Sequence, residues 1–449
     1  MKKSKGTERN RLFVRLAWGI AIILMLILVQ GFTHVLPLKK LGGYVKEPKK
    51  VSLTYQTFSD GSYQDYLAER AKQKGGFKEF FVRAYNQMMH DCFGIISNQN
   101  LIKGENDEFF LRMYLDEAMG KTLIKNYTTI DSAKLVAQEN VAKTLVLIDT
   151  LKNHGIAFLP VFAPTKTATY PEWLPQEYRD SISDFSLEEY YVQLFKENGI
   201  NHIDFYSYFK SLKKEFPYPL YTKLGTHWAE STIPFVADSI MRKIEEITGF
   251  DLPTVECADI NLTTHYSGQD KELENLMNLL FPLKKKEKLP NPKTALTDTV
   301  GKDKPNILVI ADSYFVQLRR SAFIDAFANW DYWKYNKEII SSNPKYNNRK
   351  VSYLPEAYQV VDSADIILAV FTAPYLYEYL CGFCETVSDF YGEEGAVGYE
   401  KKIQAIIDQI KNDPEWMEKI KKQAKERGIT MDENLRDNAI YVLKKQREQ

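Results

Sequence analysis

The stretch that most constrains this chain is Asn306–Phe315, NILVIADSYF. Four apolar residues, Ile307-Leu308-Val309-Ile310, run without a break and halt at Ala311-Asp312-Ser313. A continuous apolar run suits a strand buried on both faces, and such strands belong to parallel sheets covered by helices. The surrounding chain agrees. Val136–Asn153 reads as a helix with Val141, Leu145, Ile148 and Leu151 on roughly one side, closed by Gly155 near C′. Ile156–Phe162 is then a strand leading into a Pro164–Pro175 loop. Leu187–Asn198 is a second helix, Gly199 a stop, and His202–Phe205 a short strand; Asp365–Phe371, DIILAVF, is the last clear strand. This alternation predicts an α/β fold, a parallel sheet flanked by crossover helices.

In open α/β sheets ligands sit beyond the carboxyl ends of the strands, which is where Ser313 stands. A serine hydroxyl needs a base within hydrogen-bond reach to act as a nucleophile. Tyr221–Trp228, YTKLGTHW, offers His227. Ser231–Thr248 reads as a helix with Pro234 in its first turn, so His227 stands on a loop just ahead of a helix N-terminus. Taken alone, a serine after a strand is more often a turn residue.

The N-terminus sets the compartment. Lys2, Lys3, Lys5, Arg9, Arg11 and Arg15 face a single Glu8, and Leu16–Leu38 then carries no charge. That span is long enough to cross a bilayer. The basic excess before it predicts a cytoplasmic N-terminus and everything from about residue 45 onward outside the cytoplasm. A cleaved signal peptide would have a shorter apolar core ending in small residues; Leu36-Pro37-Leu38 offers no such site, so the span reads as an uncleaved anchor. Residues 45–130 look helical and amphipathic. Residues 250–304 lack periodicity, and the basic run Lys284–Lys288 there reads as a solvated loop. From about Tyr399 the chain is a helical tail, with a stripe of Ile403, Ile406, Ile407 and Ile410. Asp413 then caps a second helix with Pro414 at N1, Gly428 ends it, and Thr430 with Glu433 forms a capping box. The expected division is 1–44 anchor, 45–395 main domain, 396–449 helical extension.

Composition excludes several classes. Lys+Arg and Asp+Glu are both 59, so no net field attracts nucleic acid. The six His are scattered without an H-x-x-x-H pair, and neither a metal nor a cofactor is expected. Four Cys make no disulfide framework in a chain of 449 residues. Cys381-Gly-Phe-Cys384 has redox spacing but lacks the strand–helix start that such a motif needs.

Several ordered boxes carry a family resemblance. They are Phe58–Tyr63 (FSDGSY), Gly76–Asn86 (GFKEFFVRAYN), Ile102–Gly104 followed by Phe109–Gly120, and Ala163–Pro175 (APTKTATYPEWLP). With the G-T-H-W box and the Ser313 turn, they resemble the AlgX/AlgJ family, SGNH-hydrolase-like proteins of polysaccharide O-acetylation. The resemblance implies an SGNH-hydrolase-like fold, permuted because the serine follows the histidine. It implies Ser313 as nucleophile, His227 as base, a polysaccharide acceptor, and an acetyl donor supplied by an MBOAT-type membrane acyltransferase. Lys166, Tyr170 and Glu172 read as structural, with Pro164 and Pro171 fixing the loop and Lys166 pairing with Glu172; carbohydrate contact by these three side chains is the alternative. Two departures stand out. The family's D-T-H-W box has an Asp two residues before the His, where this chain has Gly225. Asp312 is the lesser candidate for the missing acid. A T-E-A-N-L segment is replaced by Thr372-Ala373-Pro374-Tyr375-Leu376, which removes its Glu and Asn. A carbohydrate esterase of the same fold, and a non-catalytic glycan-binding or scaffold subunit, are the alternatives.

Overall fold

The computed structural model describes residues 2–43, 50–266, 268–284, 287–351, 357–392 and 395–447. They divide into two compact units, Met1–Gln99 with Glu274–Lys284, and Asn100–Leu273 with Lys285–Gln449. The boundary expected at residues 44/45, and Lys285 and Lys286 of the basic run, lie outside the described residues.

In the first unit a helix spans Lys2–Thr33. Its stretch Arg11–Thr33 is apolar and long enough to cross a membrane. The helix stops short of Leu38, because Gln30 folds the exit back on itself: its Nε2 donates to Leu36 O at 2.7 Å and its Oε1 accepts from Leu36 N at 3.0 Å. Helices Ser62–Lys74 and Lys78–Phe93 follow. Residues 274–284 join this unit through polar ties, among them Arg83 to Leu279 O at 3.0 Å and Asn86 to Met277 O at 3.0 Å.

The second unit is built on a seven-stranded sheet. Its strands are β1 (Ala157–Phe162), β2 (Ile203–Asp204), β3 (Ile307–Ala311), β4 (Trp330–Lys334), β5 (Glu338–Ser341), β6 (Arg349–Lys350) and β7 (Ile366–Phe371). The spatial order is β6-β5-β4-β3-β7-β1-β2. Pairings from β4 through β2 are parallel; β5 and β6 extend the edge in antiparallel sense. The sheet is therefore mixed, with the predicted parallel core.

β3 lies between β4 and β7, and its five residues are at most 2% exposed. Ile307 and Val309 share a core cluster with Val236, Ile240 and Ile244 of helix Ile233–Thr248. Leu308 and Ile310 face the other way, into a cluster with Leu147 and Leu151 of helix Ile130–Asn153 and Val361 of Ala357–Asp362. Each such side chain contributes about 1.5–3 kcal/mol on full burial. That two-sided cover is why the run shows no alternation, and it fixes the height of the Ser313 turn.

Helix Ile130–Asn153 starts earlier than Val136, because the Thr129 side chain accepts from Ser132 N. Residues 250–304, unreadable by periodicity, contain an antiparallel ribbon, Thr254–Thr263 with Leu289–Thr297. It is largely exposed along Thr254–Thr263 and irregular between Cys257 and Asp259, so it leaves no alternating pattern. The tail forms helices Gly395–Asn412, Pro414–Arg427 and Met431–Arg447, packed around Ile403, Ile406, Ile410, Ile420 and Leu435. Asp413 accepts from Trp416 N, and Thr430 and Glu433 cap each other reciprocally.

Candidate active site

Two loops meet at the carboxyl end of β3. The first is the turn after the strand. Asp312, fully buried, accepts from Tyr314 N at 2.8 Å through Oδ1, and from Thr372 N at 2.9 Å and Thr372 Oγ1 at 2.8 Å through Oδ2. Its carboxylate thereby ties the turn to the end of β7. Burial pushes this carboxyl above its ordinary value, while those hydrogen bonds pull the other way. The turn leaves Ser313 half-buried, and its backbone N–H has no partner among the described residues.

The second loop carries His227. Tyr314 Oη donates to Thr226 O at 2.9 Å and Gln317 Nε2 to Trp228 O at 2.9 Å, so the residues after the nucleophile position clamp the histidine loop on both sides. Lys166 holds the loop from below. Its ammonium, 1% exposed, donates to the carbonyls of Thr222 (2.7 Å), Phe109 (2.9 Å), Lys223 (3.0 Å) and Gly225 (3.3 Å), and pairs with Glu108 at 2.8 Å. Burial pulls this ammonium below its ordinary value and Glu108 offsets part of that. The result is that His227 Nε2 stands 2.8 Å from Ser313 Oγ.

The third member is Glu272, at the start of helix Glu272–Met277. Its Oε1 lies 2.7 Å from His227 Nδ1 and also accepts from the backbone N–H of Thr226 (2.9 Å) and His227 (3.1 Å). A carboxylate at Nδ1 places the ring proton there and leaves the Nε2 lone pair for the serine O–H. Sequence reasoning missed Glu272. It lies 45 residues beyond the histidine, in the stretch without periodicity, and no fixed spacing announces it.

Asp312 does not bond to the His227 ring; both of its oxygens serve the turn and β7. Lys166 and Tyr170 are 1% and 4% exposed; the Lys166 ammonium is held by backbone carbonyls and Glu108, and the Tyr170 hydroxyl by a backbone N–H. Tyr170 Oη accepts from Leu220 N at 3.2 Å, and its ring stacks on Trp173. Glu172 is exposed and pairs with Lys213 at 2.8 Å rather than with Lys166. Gly225 cannot carry the acid: a Cβ there would lie 2.6 Å from Thr222 Oγ1 and 2.7 Å from Gln269 O. Cys381 and Cys384 are unpaired, and burial pushes both thiols up to about 12, which removes the thiolate that redox chemistry needs.

Comparison with known proteins follows the same residues. Residues 125–312 match the family model described as SGNH hydrolase-like domain, acetyltransferase AlgX, a span that includes the Ala163–Pro175 box and the histidine loop and stops one residue before Ser313. No protein of curated function matches the chain. Among solved structures, the chain is similar to the O-acetyltransferase domain of Pseudomonas putida AlgJ, at 15% identity over 64% of this chain and 99% of that one, TM-score 0.40. It is similar to Pseudomonas aeruginosa AlgX at 13% identity over 65% and 69%, TM-score 0.40. It is similar to Bacillus cereus PatB1 at 12% identity over 55% and 92%, TM-score 0.35. The family model and the sequence boxes agree on an SGNH hydrolase-like domain, similar to that of AlgX, over residues 125–312.

Proposed function

We propose that this chain is a membrane-anchored O-acetyltransferase that moves an acetyl group to hydroxyls of a cell-surface or secreted polysaccharide through an acetyl-Ser313 intermediate. The observation that carries this reading is the hydrogen-bonded series Ser313 Oγ, His227 Nε2, His227 Nδ1 and Glu272 Oε1, with steps of 2.8 and 2.7 Å. In the first half-reaction Ser313 Oγ bonds to the acyl carbon of an ester donor and its proton passes to Nε2. The donor's C–O bond breaks and its leaving oxygen takes that proton. In the second, a sugar hydroxyl attacks the acetyl-serine, its proton goes to Nε2, and Ser313 Oγ leaves with it. Glu272 stabilises the imidazolium formed in both halves.

Gly225 and Ala373 favour a non-catalytic subunit; Glu272 at the His227 ring, in the role of the acid that Gly225 lacks, supports catalysis. Hydrolysis would use the same acyl-serine, with water in place of the sugar. The apolar helix Arg11–Thr33 serves as the anchor, N-terminus in the cytoplasm, with the catalytic unit outside it. An MBOAT-type partner as acetyl source rests on the family resemblance alone. The test is the full chain in detergent with an acetyl ester and a surface-polysaccharide oligosaccharide. Ser313-dependent acetylation of sugar hydroxyls supports transfer. Acetate release alone identifies an esterase, and neither one overturns the reading.

A further inference from the structure

An acyl-serine mechanism needs donors for the oxyanion besides the nucleophile's own backbone N–H. The strands on either side of β3 show what stands there. β4 pairs with β3 so that Lys334 lies opposite Ala311, and Tyr335 follows at once, its N–H donating to Ala311 O at 2.8 Å. β7 pairs with β3 on the other side, Val370 opposite Ala311, and Thr372, which holds Asp312, leads on to Tyr375. The two tyrosines come from opposite neighbours of the nucleophile strand and meet at its carboxyl end. Their rings are 5.0 Å apart, and Tyr335 Oη donates to Tyr375 Oη at 3.4 Å. Tyr335 holds a backbone φ of +54°. It does so in the tight turn that joins β4 to β5, beside Asn336 at φ +51°.

Resting on the acyl-transfer reading above, the geometry points to Tyr375, polarised by Tyr335, as the side-chain donor to the oxyanion formed at Ser313. The hydroxyl of Tyr335 is spent on Tyr375 Oη, which leaves the Tyr375 proton free for a third oxygen. Burial pushes the Tyr375 phenol above its ordinary value, so it stays protonated and remains a donor at working pH. Tyr375 stands at the Asn position of the T-E-A-N-L segment. As the acyl C=O becomes C–O⁻, the Tyr375 O–H and Ser313 N–H share the new charge; no proton leaves the phenol.

The experiment uses the full-length protein in detergent, p-nitrophenyl acetate as acyl donor, and a trifluoromethyl ketone that forms a tetrahedral alkoxide on serine. Tyr375→Phe should lower kcat by on the order of 100-fold with KM little changed, the loss typical of one oxyanion donor. It should weaken the ketone by a similar factor while leaving the thermal midpoint near that of the wild type. Tyr335→Phe should show a smaller loss in the same direction. A Tyr375→Phe protein that keeps more than half of kcat and full ketone affinity overturns the assignment while wild-type turnover stands. A wild type with no Ser313-dependent turnover is a different failure, which takes down the acyl-transfer reading and this inference with it.

Discussion

Glu272 Oε1 lies 2.7 Å from His227 Nδ1, although Glu272 is 45 residues further along the chain and belongs to a different element. The same oxygen receives two backbone N–H groups of the histidine loop, so ring and loop are fixed by one carboxylate.

Removing the charge of that carboxylate should cost rate more than binding. Glu272→Gln can keep the contact through its amide oxygen but cannot stabilise an imidazolium. A fall in kcat of about 100-fold or more is expected, against about four orders of magnitude for loss of the acid in a serine protease. Steady-state kinetics on p-nitrophenyl acetate reads this. Gly225→Asp, in contrast, should rescue neither Glu272→Gln nor Glu272→Ala, because the added Cβ meets Gln269 O at 2.7 Å. A rescue would show that the acid can act from the motif position.

Lys166 is a structural cation under the histidine loop. Lys166→Met leaves Glu108 buried without its partner and frees the carbonyls of Phe109, Thr222, Lys223 and Gly225. Breaking a buried pair from one side costs about 3–5 kcal/mol. Denaturant unfolding should show that loss. Wild-type stability with a raised KM for oligosaccharide would instead mark Lys166 as a substrate contact.

Asp270 gives a pH signature. Burial, with Glu230 and Glu272 nearby, pushes its carboxyl from an ordinary 3.8 up to about 8. Between those values the folded protein binds a proton that the unfolded chain does not, so this group's contribution to stability declines as pH rises from about 4 to about 8. Asp270→Asn has no proton to lose, and its Oδ1 can still accept from Glu230 N. The stability of the variant relative to wild type should therefore rise across that window. Thermal midpoints at pH 5 and pH 8 check it; a difference independent of pH would contradict the burial argument.

Orientation is tested separately. Reporter fusions should place residue 10 in the cytoplasm and residue 200 outside it, given the basic residues before the apolar span. A cytoplasmic residue 200 would remove a surface polysaccharide from consideration.

How much of this was legible in the sequence depends on where the constraint was written. β3 was readable because two-sided burial leaves an unbroken apolar run, Ile307–Ile310. The tail helices were readable because their caps, Asp413 and the Thr430–Glu433 pair, are local. Ser313 and His227 were found through short boxes that keep their spacing. Glu272 was not, since only the folded chain brings it to the ring, and the exposed ribbon before it shows no period. The partners of Lys166 were missed for a related reason. A lysine in a loop ordinarily points to solvent, and the carbonyl cage that buries this one comes from residues 109 and 222–225.

The most direct measurement is acetyl capture. The full-length protein, given p-nitrophenyl acetate and quenched in acid, is digested and its peptides weighed. One acetyl group should appear on the peptide that holds Ser313. It should vanish in Ser313→Ala and fall sharply in His227→Ala and Glu272→Ala, because a serine hydroxyl without its base is a poor nucleophile. Absence of an acetyl group on Ser313 in the wild type, or undiminished labelling in His227→Ala, would contradict the account.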